Sequence, residues 1–366
     1  MKKHLIALAV AGVVSVPAMA QNVTISGLLD TGIGGDSITG GAAGVTTRKT
    51  TITGIANRNS TSVLNFAGSE DLGGGLKAGF FHNAALTTQA GGFAARDTWV
   101  SLSGGFGEVK IGRFTPGFET VAAAYSQGGG TSLTAGTADF MFGSAAKSDA
   151  GAAETAGPRV VYTEIGRGAG GAGIIQYTTP TMSGLYAVLG HANNSNDTSA
   201  SVNKTRGTQN ELSVNFSSGP VSVGAGVLAH TASVEGTAAN TDVDMMSLGA
   251  SVNLDGIILR VGYLNRQEKL STTGQNTVDA DTTTVGVTIP LSGAASAYLT
   301  AFSGSDAANG EATNNRDLSG YQAGLQYNLS KRTNVYALYG ENKFEGPGVA
   351  TSSKVTGTSL GVRHSF

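Results

Sequence analysis

The chain has 366 residues, none of them cysteine, and only 13% are charged. The absence of cysteine excludes a disulfide scaffold, thiol catalysis and a cysteine metal site. The 23 basic and 25 acidic side chains give a net charge of −2. No nucleic-acid partner is predicted, because such a partner requires a clustered basic surface.

Residues 1–20 have the pattern of a secretory signal peptide. Two lysines form the basic start, residues 5–16 form the apolar run, and residues 18–20 supply the small side chains of a cleavage site. The apolar run is too short to span a membrane as a helix, so a retained anchor is the less favoured alternative. We predict that the exported protein is residues 21–366, which carry 21 basic and 25 acidic side chains.

Segments of about ten residues with alternating polarity recur along the exported part, separated by turns or loops. Glycine contributes 55 residues, and a glycine-rich chain could also be disordered, but the regular recurrence of these segments favours strands. No run of 18 apolar residues interrupts them, so no spanning helix is predicted. We predict sixteen strands, at residues 22–33, 61–70, 75–86, 95–104, 106–114, 172–180, 184–193, 208–218, 219–232, 242–254, 256–270, 280–292, 293–304, 317–329, 331–344 and 354–366.

The connections between these strands alternate between two kinds. Tight ones carry turn residues, as in Ser218-Gly219-Pro220 and Asp255-Gly256. Short turns at one end and long loops at the other are typical of an outer-membrane barrel, whose short turns face the periplasm. The long polar connections are residues 34–60, 87–94, 115–171, 194–207, 233–241, 271–279, 305–316 and 345–353.

The predicted fold is therefore all-β: a 16-stranded antiparallel transmembrane β-barrel with short periplasmic turns and long extracellular loops. In hydrocarbon every backbone polar group must pair internally, and strands achieve this only when the sheet closes. Sixteen strands leave a water-filled lumen. Arg260, Arg266 and Arg363 each alternate with an apolar row, so their side of the sheet should face water. A soluble barrel with its faces swapped would fit the same alternation, but the export signal favours the membrane.

Several segments make the chain resemble the general porins of Gram-negative bacteria, of the β-proteobacterial and Neisseria type. The similarity extends from end to end and is most specific in residues 69–77, while the long loops show little of it. The matching segments are VTISGLLD at 23–30, FAGSEDLGGGLKA at 66–78, residues 96–113 including WVSLSGGFG at 99–107, QYTTP at 176–180, YNLSKRT at 327–333 and GVRHSF at 361–366.

This resemblance implies a homotrimer in the outer-membrane lipid, each barrel being a passive diffusion channel for small hydrophilic solutes and ions. Channels of this family often prefer anions, and the incomplete set of basic wall residues in this chain predicts weak anion selectivity or almost none. It also implies a long third loop that folds into the barrel as a constriction, and 115–171 is the longest connection. Glu119, Asp139 and Glu154 on this loop would face basic side chains of the wall, and the transverse field between them would sort ions by charge.

The basic wall residues of the family carry over incompletely. Arg96 matches one of them. Where a second arginine should stand, this chain has Val63, which removes a wall charge, although Arg58 in the preceding loop could replace it. A third should lie at the return from the long loop, where both Arg159 and Arg167 fit.

No catalytic or metal-binding pattern is visible. The five histidines, at positions 4, 82, 191, 230 and 364, show no pairing at metal-ligand spacing. No enzyme, cofactor or metal is predicted. The alternative functions are a substrate-specific channel, an adhesin that binds through loop 34–60 and, less favoured, an outer-membrane hydrolase, since catalytic triads are recognised by geometry and not by sequence order.

The chain ends within a strand, with Leu360, Val362 and Phe366 on one face. An aromatic residue at the membrane interface is typical of the end of a transmembrane strand. The resemblance implies that the barrel-assembly machinery reads this last strand, with Phe366 as the assembly signal. We also expect protomers to associate through strands near the termini, where Gly27 and Gly68 permit close approach.

Overall fold

A computed structural model describes ten segments of the chain, and these contain eighteen strands and one helix. In this part of the chain, no helix is long and apolar enough to cross a membrane. The predicted signal peptide, residues 1–20, and most of the long connections lie outside it. The described residues are 23–39, 47–49, 54–56, 59–86, 93–126, 173–196, 205–234, 241–308, 316–346 and 353–366.

In the described part of the chain the strands follow one another, with one helix, α1 (Gly117–Ser126), between the seventh and the eighth. The strands are β1 (Thr24–Thr39), β2 (Thr47–Lys49), β3 (Gly54–Ala56), β4 (Ser62–Gly73), β5 (Leu76–Leu86), β6 (Phe93–Gly104), β7 (Gly107–Arg113), β8 (Ile174–Thr178), β9 (Leu185–Asn196), β10 (Thr205–Ser218), β11 (Val221–Val234), β12 (Thr241–Leu254), β13 (Ile257–Leu270), β14 (Asn276–Pro290), β15 (Ala295–Ala308), β16 (Arg316–Asn328), β17 (Thr333–Glu345) and β18 (Ser353–Ser365).

The strands form one closed antiparallel sheet. From β4 to β18 each strand pairs with the next, and β18 pairs with β1. On its other side β1 pairs in turn with β2, β3 and β4, so these three pieces together fill one position in the wall. The wall therefore has sixteen positions, and the predicted 16-stranded antiparallel barrel is confirmed.

Alternation along each strand separates an apolar outer face from an inner face. In β13 the outward Leu259 and Val261 are 41% and 44% exposed, while the inward Leu264 and Arg266 are buried. Cross-strand partners share a face, so the register carries this division around the barrel. Apolar side chains on the outside need lipid as their solvent, and this excludes the soluble barrel with swapped faces.

The tight connections have the predicted turn chemistry. Asp255 and Gly256 both have positive φ, 50° and 94°, which is the backbone that a two-residue hairpin requires and that Asp-Gly supplies. In the β4–β5 turn the carboxylate of Asp71 accepts the backbone N–H of Gly73 at 2.8 Å.

At the opposite ends the strands are longer than predicted. β1 continues to Thr39, β14 begins at Asn276, and β2 and β3 occupy part of the predicted loop 34–60. The extensions of β1 and β14 have polar residues at both odd and even positions, so their sequences show no apolar alternation, and β2 and β3, of three residues each, are too short to show a pattern. Backbone pairing continues there without the side-chain pattern on which the prediction depended.

Candidate functional site in the lumen

Helix α1 lies inside the barrel, against the inward faces of β10–β13. Phe118, Val121, Ala122 and Tyr125 are buried, and their spacing of three and four residues places them on one side of the helix. The inward Leu228, Met245 and Leu264 belong to the same buried cluster as Phe118. The helix narrows the lumen from one wall, although the sequence predicted only a loop there. Residues 127–172, which include the rest of this loop, lie outside the described residues, so the inward folding of the rest of the loop stays a prediction.

Inward glycines allow the helix to approach this wall closely. A side chain on Gly249 would overlap Tyr125, and one on Gly226 would meet Phe118. Thr120 and Ala124, on the other side of the helix, are exposed to the lumen. The helix therefore presents small side chains to the water-filled space.

A carboxylate of the wall holds the N-terminus of α1. Glu211 of β10 accepts the backbone N–H groups of Gly117 and Phe118, each at 3.2 Å, and the side-chain amide of Gln176 at 3.1 Å. The free N–H groups and the dipole of a helix N-terminus favour a negative charge at this point. Glu211 thereby positions the start of the constriction. Glu211 was not predicted from the sequence, although alternation places it on the inner face with Gln209, opposite the outward Leu212 and Val214.

A second buried carboxylate, that of Asp30 in β1, fixes the opposite wall. It accepts the backbone N–H groups of Asn59 and Ser60, the Ser60 hydroxyl and the Tyr336 hydroxyl, at 2.7 to 3.3 Å. The backbone N–H of Asp30 donates in turn to the Ser62 hydroxyl. These bonds tie the residues that precede β4 to β1 and, through Tyr336, to β17.

Two of the predicted constriction residues are described. Arg96 is half-buried in β6, at a bulge where the register between β5 and β6 shifts by one residue. Glu119 lies in the first turn of α1 and is half-buried. The structure does not describe the other predicted residues, Arg159, Arg167, Asp139 and Glu154.

Val63 occupies the wall position where the family arginine was expected. It pairs with Leu28, and Asn65 pairs with Ser26. Leu28 shares the inner face with Asp30, two residues further along β1. Val63 therefore faces the lumen, and the wall is uncharged at this position.

The C-terminal residue closes the barrel next to β1. Backbone bonds of 3.0 and 3.1 Å join Phe366 and Gly27, and the Phe366 ring lies where a Gly27 side chain would be. The ring of Phe80 lies on Gly68 in the same way. The two glycines that we expected to leave room for a neighbouring protomer are thus covered by rings of their own chain.

Among the described residues, no three histidine, aspartate or glutamate side chains are grouped so as to hold a metal ion. His82, His191 and His364 each hydrogen-bond a threonine or asparagine of the neighbouring strand.

Comparison with known proteins agrees with the architecture. A sequence profile described as Gram-negative porin matches residues 7–347. The chain is 30% identical over 394 aligned positions to outer membrane porin protein 32 of Delftia acidovorans, with all of both chains covered. Among solved structures it matches an anion-selective porin from Comamonas acidovorans (TM-score 0.66, 24% identity, 94% of this chain and 100% of that one). It also matches a trimer form of OmpT from Vibrio cholerae (TM-score 0.61, 14% identity, 95% and 100% covered).

The closed sixteen-position wall, its lipid-facing apolar outside and the helix inside its lumen are the parts of a diffusion pore. The profile match over most of the sequence and the full-length relative agree with them. The chain therefore belongs to the Gram-negative porin family and forms a multi-pass outer-membrane channel for passive diffusion.

Proposed function

We propose that the channel passes small hydrophilic solutes and ions with a weak preference for anions. The observation that carries this preference is Arg96 at the bulge of β6, because a bulge changes which way a side chain points and can turn the guanidinium into the lumen. A cation in a lumen with low-dielectric walls attracts anions. The anion-selective relative from Comamonas supports the same sign, and the uncharged Val63 keeps the preference weak.

The constriction in this proposal has a basic side and an acidic side. The basic side is Arg96 with one of Arg159 and Arg167. The acidic side is formed by the loop 115–171, which begins with α1 and carries Glu119, Asp139 and Glu154.

The reversal potential across a planar bilayer in a potassium chloride gradient tests this proposal. We expect a small excess of chloride over potassium permeability, which falls in Arg96→Gln and is kept in Arg96→Lys. Strong cation selectivity of the unaltered protein would contradict the proposal. Block of the current by one sugar or organic acid at low concentration would instead favour a substrate-specific channel.

We also propose that the pore carries out no covalent chemistry. Lipid or ester hydrolysis by the folded protein, without ion conductance, would favour the outer-membrane hydrolase instead. No cofactor enters this proposal.

Export and assembly complete the proposal. Residues 1–20 are removed as a signal peptide, and the barrel of residues 21–366 enters the outer membrane through the barrel-assembly machinery, which reads the strand ending at Phe366. The barrels associate as a homotrimer, as the OmpT relative does in its trimer form. Mass measurement of the purified protein tests both parts, since it reports the new N-terminus and, under native conditions, the number of subunits.

A further inference from the structure

The inner face near the periplasmic ends of the strands carries more positive than negative charge. Register places these side chains inward: Lys77 pairs with Ser103, Ser103 pairs with Glu108, and the remaining members alternate with outward apolar residues. Among the described strand residues, this set consists of three acids and four bases, namely Asp30, Asp71, Glu108, Lys77, Lys110, Arg260 and Arg363.

Two of the acids of this set lie beside its lysines. Asp71 and Lys77 are direct cross-strand partners in β4 and β5. Glu108 and Lys110 form an ion pair of 3.7 Å in β7, and the Lys110 ammonium also lies 4.9 Å from the centre of the Trp99 ring. These four charges balance, so the excess comes from the arginines, of which only Arg363 has an acid of this face, Asp30, as its cross-strand partner.

Arg260 lies apart from these acids, on β13. Its cross-strand partners are Ser251 and Gly286, and one guanidinium nitrogen donates to the Thr288 hydroxyl at 3.1 Å. No carboxylate within the described residues lies within 4.0 Å of its guanidinium. The hydrogen bond to Thr288 fixes the orientation of the half-buried Arg260 guanidinium. The other N–H groups of this guanidinium can bind a chloride, a carboxylate or a phosphate.

Arg363 lies on β18 in a different electrostatic setting. It pairs directly across the strands with Asp30. The Asp30 carboxylate is fully buried and is directed at the donors of Asn59, Ser60 and Tyr336. Its negative charge nevertheless lies close enough to offset part of the field of Arg363.

We propose that Arg260, assisted by Arg363, forms a second anion filter in the periplasmic half of the lumen, separate from the constriction. It acts on small inorganic and carboxylate anions by raising their local concentration in the lumen. This inference rests on the proposed pore function and adds a specificity-determining position to it. It also ranks the two arginines, with Arg260 the stronger.

Neutralisation of each arginine in the refolded protein, residues 21–366, tests the filter. In dilute salt the chloride-to-potassium permeability ratio should fall roughly two- to fourfold in Arg260→Gln, the effect of one unit charge about 10 Å from the ion path in water. It should fall less in Arg363→Gln. The matched control is Arg332→Gln, which removes the same charge from the exposed periplasmic turn between β16 and β17 and should leave the ratio unchanged.

The absence of native cysteine allows a test within a single folded channel. Arg260→Cys should have a low ratio, and a methanethiosulfonate reagent bearing an ammonium group should restore it, while one bearing a sulfonate should lower it further. An unchanged ratio in Arg260→Gln, or no response of the cysteine variant to either reagent, would overturn the filter. The complete absence of conductance in the unaltered protein would overturn the proposed pore function instead.

Discussion

At the scale of single residues, the lumen wall uses buried carboxylates to hold backbone in place. Asp30 and Glu211 each accept hydrogen bonds from two backbone N–H groups and from at least one side chain. A charge removed from water needs such donors, since an unpaired buried charge is strongly destabilising. In the proposed pore, carboxylates used in this way should contribute less to ion sorting than exposed charges do.

Val63 offers the most direct gain-of-charge experiment. Because it faces the lumen where the family has an arginine, Val63→Arg should strengthen the anion preference by roughly two- to fourfold in permeability ratio at low salt. Reversal potentials measure this change. Val63→Gln adds bulk without charge and should leave the ratio near its original value. An equal effect of glutamine and arginine would show that size, and not charge, acts at this position.

At the scale of elements, α1 determines how much of the lumen is open. Its buried side packs against Gly226 and Gly249 of the barrel wall, and Glu211 accepts hydrogen bonds from its N-terminus. Helix and wall thus contact each other through apolar packing along the helix and through hydrogen bonds at one end. Loss of the hydrogen bonds should free that end first.

Glu211→Gln should loosen the start of α1. Glutamine keeps only one carbonyl oxygen as an acceptor, so a buried N–H group loses its partner, at a cost of about 1 to 3 kcal/mol. We expect larger fluctuations of the open-channel current in single-channel recordings. Gln322→Ala is the control, because it removes an inward hydrogen bond, to Tyr298, from β16. Equal current noise in both variants would contradict a positioning role for Glu211.

The predictability of these elements from sequence depended on which solvents their faces meet. Strands such as β13 have lipid on one side and water on the other, so their alternation predicted both their existence and their faces. The outer ends of β1 and β14 have polar residues on both faces and were missed. The spacing of Phe118, Val121, Ala122 and Tyr125 is typical of a helix. The helix was nevertheless not predicted, because residues 115–171 were interpreted only as the longest loop.

The candidate site was less predictable, because it depends on residues distant in sequence. Glu211 meets Gly117 only because the barrel brings β10 opposite the start of α1, and Asp30 meets Tyr336 only because the barrel closes. Arg96 was identified by resemblance, and the bulge that decides its direction arises from a register shift with β5. Neither the alternation nor any motif encodes that shift.

At the scale of the whole molecule, closure depends on the two ends of the chain. Phe366 exchanges two backbone hydrogen bonds with Gly27 and covers it with its ring. The ring itself is 42% exposed, so it contributes little burial. Side-chain packing should therefore explain little of the effect of its removal, and refolding in vitro measures how much the two lost backbone hydrogen bonds contribute.

Deletion of Phe366 should reduce the amount of trimer in the outer membrane severely, while Phe366→Tyr, which keeps an aromatic ring at the interface, should assemble nearly normally. Quantitation of folded trimer in isolated outer membranes measures the difference. In vitro refolding into detergent provides the control, since it needs no assembly machinery and should be affected little. Normal trimer yield in cells after deletion would contradict an assembly signal at this residue.

Sixteen wall positions enclose a water-filled path past α1. Single-channel recording of refolded residues 21–366 in a planar bilayer tests it most directly. We predict large ohmic current steps that scale with the bulk conductivity of the salt solution and close in groups of three. Folded protein that inserts into the bilayer without any conductance steps would contradict the claim.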